Sequence, residues 1–168
     1  MPGKVLRIYL AGYRNGPMIS HYSTRAIAGV GLECDRYARG TGSYSTTTGK
    51  NLKVRHVSLI AMEQIREANH SLPRGKGFAM EETRRNIVTL GIDLERLIGR
   101  YFKIGTILML GTKVCDPCKI PSKLAGKDGF ETAFVGTLGG IRAQILTDGI
   151  ITRGDIVRQY QLGSEKPR

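Results

Sequence analysis

Apolar and polar positions alternate in several short segments of this chain. In residues 4–11, Leu6, Ile8 and Leu10 alternate with polar or aromatic side chains, which is the period-two pattern of a strand with one buried face. A second apolar run covers residues 25–30. Further short apolar segments predict strands at residues 86–90, 101–104, 106–110, 141–146, 150–152 and 156–160.

One segment has the spacing of a helix instead. Leu59, Met62 and Ile65 recur on one side, and Ser58 before them is a residue type that caps helix N-termini. We therefore predict an amphipathic helix that begins after Ser58 and ends before Pro73.

Turn signals separate the predicted strands. Asp148-Gly149 lies between two apolar segments and predicts a β-hairpin, and Asp93 caps a single helical turn through Leu97. Short strands joined by glycine-containing turns, with few helices, favour a mainly β, largely antiparallel barrel or sandwich over a doubly wound parallel sheet. We expect a single domain over residues 1–168, with a disordered tail at residues 163–168.

The charge is the feature of the composition that changes this picture. The 168 residues include 26 Lys and Arg against 14 Asp and Glu, a formal net charge of +12 that suggests an anionic partner. The apolar content is that of a globular protein, and no segment has the roughly 20 apolar residues of a membrane helix. Arg7 interrupts the first apolar run, so we expect no signal peptide, a cytoplasmic location and reduced thiols.

The Cys115-Asp116-Pro117-Cys118 segment is the first candidate for chemistry. A thioredoxin-type redox pair is disfavoured, because Pro121 follows too closely for a long helix and no βαβ pattern precedes the pair. A nucleophilic or ligating thiol is a second interpretation, since nearby cations such as Lys119 and Lys123 favour the reactive thiolate. Two ordinary loop cysteines account for the same pattern.

Two further classes of function have partial support. A zinc-stabilised structural domain needs four nitrogen or sulfur ligands, and the chain offers one Cys-x-x-Cys pair, Cys34 and three histidines without ligand-like spacing. A nucleic-acid-binding module would use the +12 charge. Its basic residues are spread along the whole chain and no base-reading motif is present, so we disfavour it.

Arginines stand beside polar residues in two short segments. Residues 82–86 read E-T-R-R-N and residues 33–37 read E-C-D-R-Y. An arginine at the entrance of a strand can bind a phosphate or carboxylate through its forked N–H groups. A solvated charged face explains any single one of these arginines equally well.

The order of these segments resembles the MOSC family, domains named after the C-terminal part of molybdenum cofactor sulfurase. The resemblance covers about residues 29–157 and rests on G-L-E-C-D-R-Y-A, then a helix, T-R-R-N-I-V-T, I-G, C-D-P-C, R-A-Q-I-L and a final G-D. It implies a β-barrel-like fold with a few helices. It also implies a function in which a loop cysteine carries sulfur as a persulfide, or ligates the molybdenum of a pterin cofactor.

The resemblance also assigns residues. The family's characteristic cysteine corresponds to Cys118, the candidate persulfide carrier and molybdenum ligand. Cys115, which only some family members have, would resolve an oxidised or persulfidated Cys118 by thiol exchange. The residues that the resemblance assigns to cofactor binding are Asp35, Arg36, Arg85, Asn86 and Arg142.

One position departs from the family pattern. Many relatives have glycine before the Asp-Arg pair, where this chain has Cys34. If that glycine serves a backbone with positive φ, Cys34 bears a strain that glycine avoids. An additional thiol near the pocket is the other interpretation of Cys34.

The resemblance further implies cofactors and partners. The cofactor would be molybdopterin, an anionic pterin whose phosphate Arg36, Arg85 and Arg142 would bind, with the loop at residues 40–50 closing over it. The sulfur donor would be a cysteine desulfurase, and pyridoxal phosphate would enter only through that partner. A partner reductase is the alternative, because the chain has no flavin or iron–sulfur motif. No membrane is expected.

Overall fold

The structure, a computed structural model, describes residues 1–39 and 56–163. The predicted loop at residues 40–50 lies outside them, as does the predicted tail apart from Gly163. The strands are β1 (Gly3–Leu10), β2 (Ile19–His21), β3 (Ser23–Ile27), β4 (Gly31–Leu32), β5 (Val57–Ala61), β6 (Ile87–Leu90), β7 (Tyr101–Ile104), β8 (Ile107–Val114), β9 (Ile141–Ile145), β10 (Gly149–Thr152) and β11 (Ile156–Gln159). The helices are α1 (Met62–His70), α2 (Ile120–Ala125) and α3 (Phe130–Ala133), with 3₁₀ turns at Glu81–Thr83, Glu95–Leu97 and Gly136–Gly139.

Seven strands close into a barrel. Their order is β11-β7-β8-β9-β5-β6-β1, and β11 pairs back onto β1, so the sheet closes on itself. Within the described residues every neighbouring pair in the barrel is antiparallel except β5 and β6. Strand β2 adds to β1, and β10, β3 and β4 form a small separate sheet. The predicted mainly β, barrel-like, single-domain fold is confirmed.

The barrel has apolar side chains on both faces of β5 and β6. Alternate residues such as Leu59 and Ile87 belong to the core inside the barrel. Ile60 and Val88 point the other way, into an outer cluster that α1 and α3 complete. Three phenylalanine rings of this outer cluster contact one another, with Phe78 edge-on to Phe130 and Phe134 and the last two stacked at 4.3 Å between centroids.

The predicted start of the first helix is wrong. Ser58 does not cap a helix: it lies inside β5, whose five residues are all buried, and α1 begins only at Met62. Strand β5 lies in the middle of the sheet between β9 and β6, so both of its faces are covered. A strand that is buried on both faces is a continuous apolar run, and its spacing cannot be distinguished from that of a helix.

The hairpin predicted at Asp148-Gly149 is also wrong. Strand β9 pairs with β8 and β5, whereas β10 leaves the barrel and pairs with β3. The Asp148 carboxylate accepts a hydrogen bond from the backbone N–H of Ala28 at 2.7 Å, which holds the connection towards the small sheet. The short turn predicted at Asp93 is confirmed, since its carboxylate accepts the backbone N–H of Glu95 at 3.1 Å.

Candidate functional site

A pocket opens on the outer face of the barrel beside the first residues of β5 and β6. Its space is about 490 Å³, counting the open mouth. The segments that form it are widely separated in the chain: the loop after β4, the start of β5, the residues before β6 and the loop between β8 and α2. This thiol pocket is lined by Asn15, Arg36, Tyr37, Ser58, Arg84, Arg85, Asp116, Cys118, Ile120 and Pro121.

Cys118 contributes the sulfur of the thiol pocket. It is half-buried in the extended segment that follows β8 and precedes α2, and Pro121 in the first turn of that helix lies in the same wall. All three cysteines are in the thiol form. Cys118 is therefore the cysteine whose position combines partial shelter with access from the pocket.

Cys115 occupies a different environment from Cys118. It is completely buried and is not among the residues that line the pocket. Its backbone N–H donates to the carbonyl of Gly140 at 2.8 Å, and the neighbouring Gly139 has no room for a side chain because the Cys115 carbonyl lies against it. Glycine at positions 139 and 140 thus lets two backbone segments pack closely and fixes the loop that carries Cys118.

Three polar side chains form a buried polar network behind the pocket. These are Asp35, Ser58 and Asn86, each no more than 1% exposed. The Asn86 amide donates to the Tyr9 carbonyl at 3.1 Å and to the Asp35 carboxylate at 3.2 Å, and its oxygen accepts the Ser58 backbone N–H at 3.2 Å. The Ser58 hydroxyl in turn accepts the backbone N–H of Asn86 at 3.1 Å.

Asp35 completes the network and connects it to the pocket. One carboxylate oxygen accepts the backbone N–H of Ala11 at 3.1 Å and Nη1 of Arg36 at 3.2 Å. The other accepts the backbone N–H of Tyr37 at 3.3 Å. Asp35 and Asn86, predicted to bind a cofactor, are thus saturated with hydrogen bonds inside the protein and hold the surrounding strands and loops in register.

Arg36 lies in the pocket wall and is held in several directions. Besides the ion pair with Asp35, its Nη2 donates to the carbonyl of Arg84 at 3.3 Å, and its guanidinium lies 4.5 Å from the ring centroid of Tyr37. The side chain is 6% exposed. Arg36 is therefore a fixed cationic wall of the pocket.

Arg85 has a fixed position but an incomplete set of hydrogen bonds. Its Nε donates to the carbonyl of Gly139 at 2.8 Å and its Nη1 to the carbonyl of Thr83 at 3.3 Å, and the guanidinium lies 5.9 Å from the ring centroid of Phe130. The residue is 7% exposed. Its buried Nη2 has no hydrogen-bond partner among the residues that the structure describes.

Arg84 is a pocket residue that the sequence analysis did not assign to cofactor binding. Its backbone is left-handed, with φ of 62°, and its buried Nη2 also has no hydrogen-bond partner within residues 1–39 and 56–163. Burial, followed by the nearby Arg36 guanidinium, lowers the pKa of Arg84 below its usual value. We call Arg84 and Arg85 the arginine pair.

Arg142, assigned to the cofactor by resemblance, lies elsewhere. It is in β9, opposite Ser58 across the strand pair, and is 2% exposed. Its side chain does not line the thiol pocket. The structure thus brings Arg36, Arg85 and Cys118 together as cavity walls, with Arg84 as the third arginine at the surface of the cavity.

Cys34 confirms the expectation of a strained backbone. Its φ is 66°, in the region that glycine adopts without cost, and its side chain is exposed. It does not line the thiol pocket. Within the described ranges, the other non-glycine residues with positive φ are Asn15 and Arg84, and both line it.

The described part of the chain contains no cluster of three or more His, Cys, Asp or Glu side chains that could hold a metal ion. The zinc alternative therefore has no ligand set there. Nor does any helix in residues 1–39 and 56–163 combine the length and apolar character needed to span a bilayer.

Solved structures with the same fold are small proteins. YuaD from Bacillus subtilis superposes with a TM-score of 0.74 at 19% identity, covering 96% of this chain and 98% of that chain. YiiM from Escherichia coli gives a TM-score of 0.66 at 15% identity over 98% of this chain and 72% of that one. YiiM from Geobacillus stearothermophilus gives 0.64 at 13% identity, with coverages of 96% and 77%.

The sequence itself identifies the family. The MOSC domain model matches residues 45–158, which is more than half of the chain. Comparison with curated protein sequences gives no match. The chain belongs to the MOSC domain family, and the resemblance found in its motifs is confirmed.

Proposed function

We propose that Cys118 carries a sulfur atom as a persulfide in a pathway associated with the molybdenum cofactor. The observation that carries this proposal is the lining of the thiol pocket, in which a half-buried thiol shares the walls with three arginines. A persulfide needs a sulfur that a donor can reach, and its terminal sulfur is anionic at neutral pH. The guanidinium groups provide the positive charge that such an anion requires.

The transfer to Cys118 is an exchange between sulfur atoms. The Cys118 thiolate attacks the terminal sulfur of a donor persulfide, a new sulfur–sulfur bond forms on Cys118, and the donor leaves as its thiolate. No oxidant or reductant is consumed. In the cell the donor would be a cysteine desulfurase, which would supply the pyridoxal phosphate.

The pocket residues also fit an anionic molybdenum–pterin cofactor. Two buried guanidinium nitrogens of the arginine pair have no partner among the described residues, and such donors suit a phosphate. The Cys118 sulfur would be the ligand to molybdenum, since thiolates are soft ligands. When bound, the cofactor would supply oxygen-atom transfer, which would require a partner reductase. The residues of the chain would bind its phosphate and limit access of water.

Intact-mass measurement tests the persulfide. Cys34 is exposed and would react in parallel, so the background variant is Cys34→Gly, a residue that suits the positive φ at that position. After treatment with glutathione persulfide, this variant is expected to gain the mass of one sulfur atom. The Cys34→Gly/Cys118→Ala variant is expected to gain none.

A sulfur increment on the double variant would overturn Cys118 as the carrier. Ligation of molybdenum by Cys118 is tested on the same proteins. They are expressed in cells that make the cofactor and are then analysed for molybdenum and pterin. Loss of both from the Cys118→Ala variant supports ligation, and equal retention excludes it. The Cys115→Ala variant tests the proposed resolving role: a longer lifetime of the Cys118 persulfide supports it.

A further inference from the structure

The arginine pair has buried N–H donors that lack hydrogen-bond partners among the described residues. Nη2 of Arg84 and Nη2 of Arg85 are both buried, and neither has a hydrogen-bond partner among residues 1–39 and 56–163. Arg85 is 7% exposed and is held through its other nitrogens, so this donor is fixed in a wall of the cavity. A buried cationic donor without a partner is costly, and an anion bound between the two forks would satisfy both.

The charge balance of the pocket also calls for an anion. Three guanidinium groups line it, whereas the carboxylate buried next to them is that of Asp35, which accepts four hydrogen bonds from protein groups. Asp116 lies at the rim with an exposed side chain and is paired with Lys113 at 3.6 Å. Among the described residues that line the thiol pocket, Asp116 is the one acidic residue, against three arginines.

The backbone around the pocket carries strain of the kind found where ligands bind. Asn15 and Arg84 adopt left-handed conformations with φ of 59° and 62°, and both line the thiol pocket. This conformation costs about 1–2 kcal/mol for an ordinary residue such as Arg84, whereas asparagine adopts it readily. Strained residues of this kind cluster at ligand clamps. Arg84 thus lines the pocket with a left-handed backbone, which has a cost in folding free energy.

We infer, building on the proposed persulfide of Cys118, that the arginine pair binds sulfite as the acceptor of the carried sulfur, with thiosulfate as the product. An acceptor of persulfide sulfur must be a nucleophile, and a pocket lined by arginines selects an anion. Sulfite meets both conditions, because its oxygens can accept hydrogen bonds from the two forks while its sulfur holds the reacting electron pair.

The reaction is balanced without any other reagent. The sulfur of sulfite attacks the terminal sulfur of the Cys118 persulfide, and the bond between that sulfur and Cys118 breaks. The electron pair of the broken bond stays on Cys118, which becomes a thiolate. Because the persulfide is anionic, no proton is transferred. Thiosulfate leaves, and the thiol is ready for another donor.

Single-turnover kinetics test this inference. Cys34→Gly protein is loaded with glutathione persulfide, separated from the reagent, and mixed with increasing sulfite, while thiosulfate and the protein mass are followed. We expect thiosulfate to equal the sulfur lost from the protein, with a rate that saturates in sulfite. Sulfate is expected to inhibit competitively, since it fits the same forks without a nucleophilic electron pair.

Three variants show whether the arginine pair holds the acceptor. Arg85→Lys keeps the charge and removes the fork, Arg84→Asn removes the charge and keeps a residue that tolerates positive φ, and exposed Arg66→Gln is the control. We expect the first two to raise the half-saturating sulfite concentration by about tenfold to a hundredfold, the loss of one charge-assisted hydrogen bond. Sulfur loading is quantified for each variant before sulfite is added, so that the sulfite dependence refers to loaded protein. In Arg66→Gln both the loading and the sulfite dependence are expected to be unchanged.

Each failure has a distinct meaning. If Cys118 does not load, the proposed persulfide is wrong and the acceptor with it. If it loads but releases no thiosulfate faster than glutathione persulfide does in solution, only the sulfite inference is overturned. Saturation by sulfite that is identical in the arginine variants and the control would also overturn it.

Discussion

Two neighbouring groups of polar side chains differ in how completely they are hydrogen bonded. The buried polar network of Asp35, Ser58 and Asn86 uses its donors and acceptors within the protein. The arginine pair directly precedes Asn86 in the chain. Each of its guanidinium groups has one buried Nη2 without a partner in the described structure. The first group specifies how strands and loops fit together, and the second retains buried donors that are not used within the described residues.

The largest expected effect is on the free energy of unfolding, and it follows from removing a side chain of the buried polar network. Replacing Asn86 by Ala leaves the Tyr9 carbonyl and the Ser58 groups without their partner in the protein interior. Because each unsatisfied buried group costs about 1–3 kcal/mol, we expect a loss of roughly 3 kcal/mol or more in the free energy of unfolding. Urea denaturation of the purified variant measures it.

Thr89, in the strand β6 that follows Asn86, provides the matched control. It is also completely buried, but its hydroxyl has no hydrogen-bond partner within the described residues. Thr89→Val is therefore expected to be neutral or stabilising in the same measurement. A loss comparable to that of Asn86→Ala would contradict the distinction between the two groups.

The next effect separates binding from stability at the arginine pair. Arg84→Asn removes a guanidinium that lies close to Arg36 and Arg85, and asparagine tolerates the left-handed backbone. We expect unfolding free energy to stay the same or rise by up to about 1 kcal/mol. Sulfate should then protect Cys118 from iodoacetamide about tenfold less well than in the parent.

A mass-spectrometric alkylation assay on the Cys34→Gly background measures this protection. The Arg66→Gln variant is the control for a general loss of positive charge. Equal protection of Cys118 in Arg84→Asn and its parent would show that Arg84 serves the fold and does not bind the anion.

His56 is a hydrogen-bonded side chain that can gain a proton, so its effect on stability should depend on pH. Nδ1 of His56 accepts the backbone N–H of Ile145 at 2.8 Å, and burial lowers the pKa of His56. The unfolded chain binds this proton below about pH 6.5 and the folded chain binds it less readily, so stability is expected to fall as the pH decreases below that value.

Thermal unfolding between pH 7.5 and 5 checks the sign. His56→Gln retains an acceptor and cannot titrate, so its melting temperature should depend less on pH over this range. A pH dependence unchanged in His56→Gln would assign the effect to other groups.

The smallest expected effect concerns strain outside both groups. Cys34 is exposed, has φ of 66° and lies away from the thiol pocket. Cys34→Gly is therefore expected to raise the free energy of unfolding by about 0.5–1 kcal/mol, because glycine adopts this conformation readily. Denaturation by urea measures the change, and a loss of stability would show that the thiol has contacts of its own.

The sequence predicted those parts of the fold whose signals are local. Alternation in residues 4–11 and glycines between short apolar segments predicted the strands and the barrel. Strand β5 was missed because burial of both faces removes the alternation from which a strand is recognised. The hairpin at Asp148 failed because the partner of β10 is β3, more than a hundred residues earlier, and pairing over such distances has no local signature.

The residues of the candidate site also differ in whether they could be predicted from the sequence. Ordered motifs singled out Cys118, Arg36 and Arg85, and the structure places all three in one pocket. The place of Arg84 in the pocket could not be foreseen, since it depends on a left-handed residue that turns the chain just before β6. The role of Arg142 stays a prediction. Two adjacent residues in a strand point to opposite faces of the sheet. The left-handed backbone at Arg84 breaks this alternation, so that both arginines line one cavity.

The closure of the barrel has a consequence for how this chain folds during synthesis. Gly3 and Lys4 of β1 pair with Val157 and Ile156 of β11, so β1 cannot complete its pairing until a strand about 150 residues later in the chain has been synthesised. Contacts so distant in sequence slow folding, and the open edges of β1 and β7 are exposed to other nascent chains meanwhile. A nascent chain arrested before residue 156 should therefore be far more sensitive to protease, and to aggregation, than one released after residue 159.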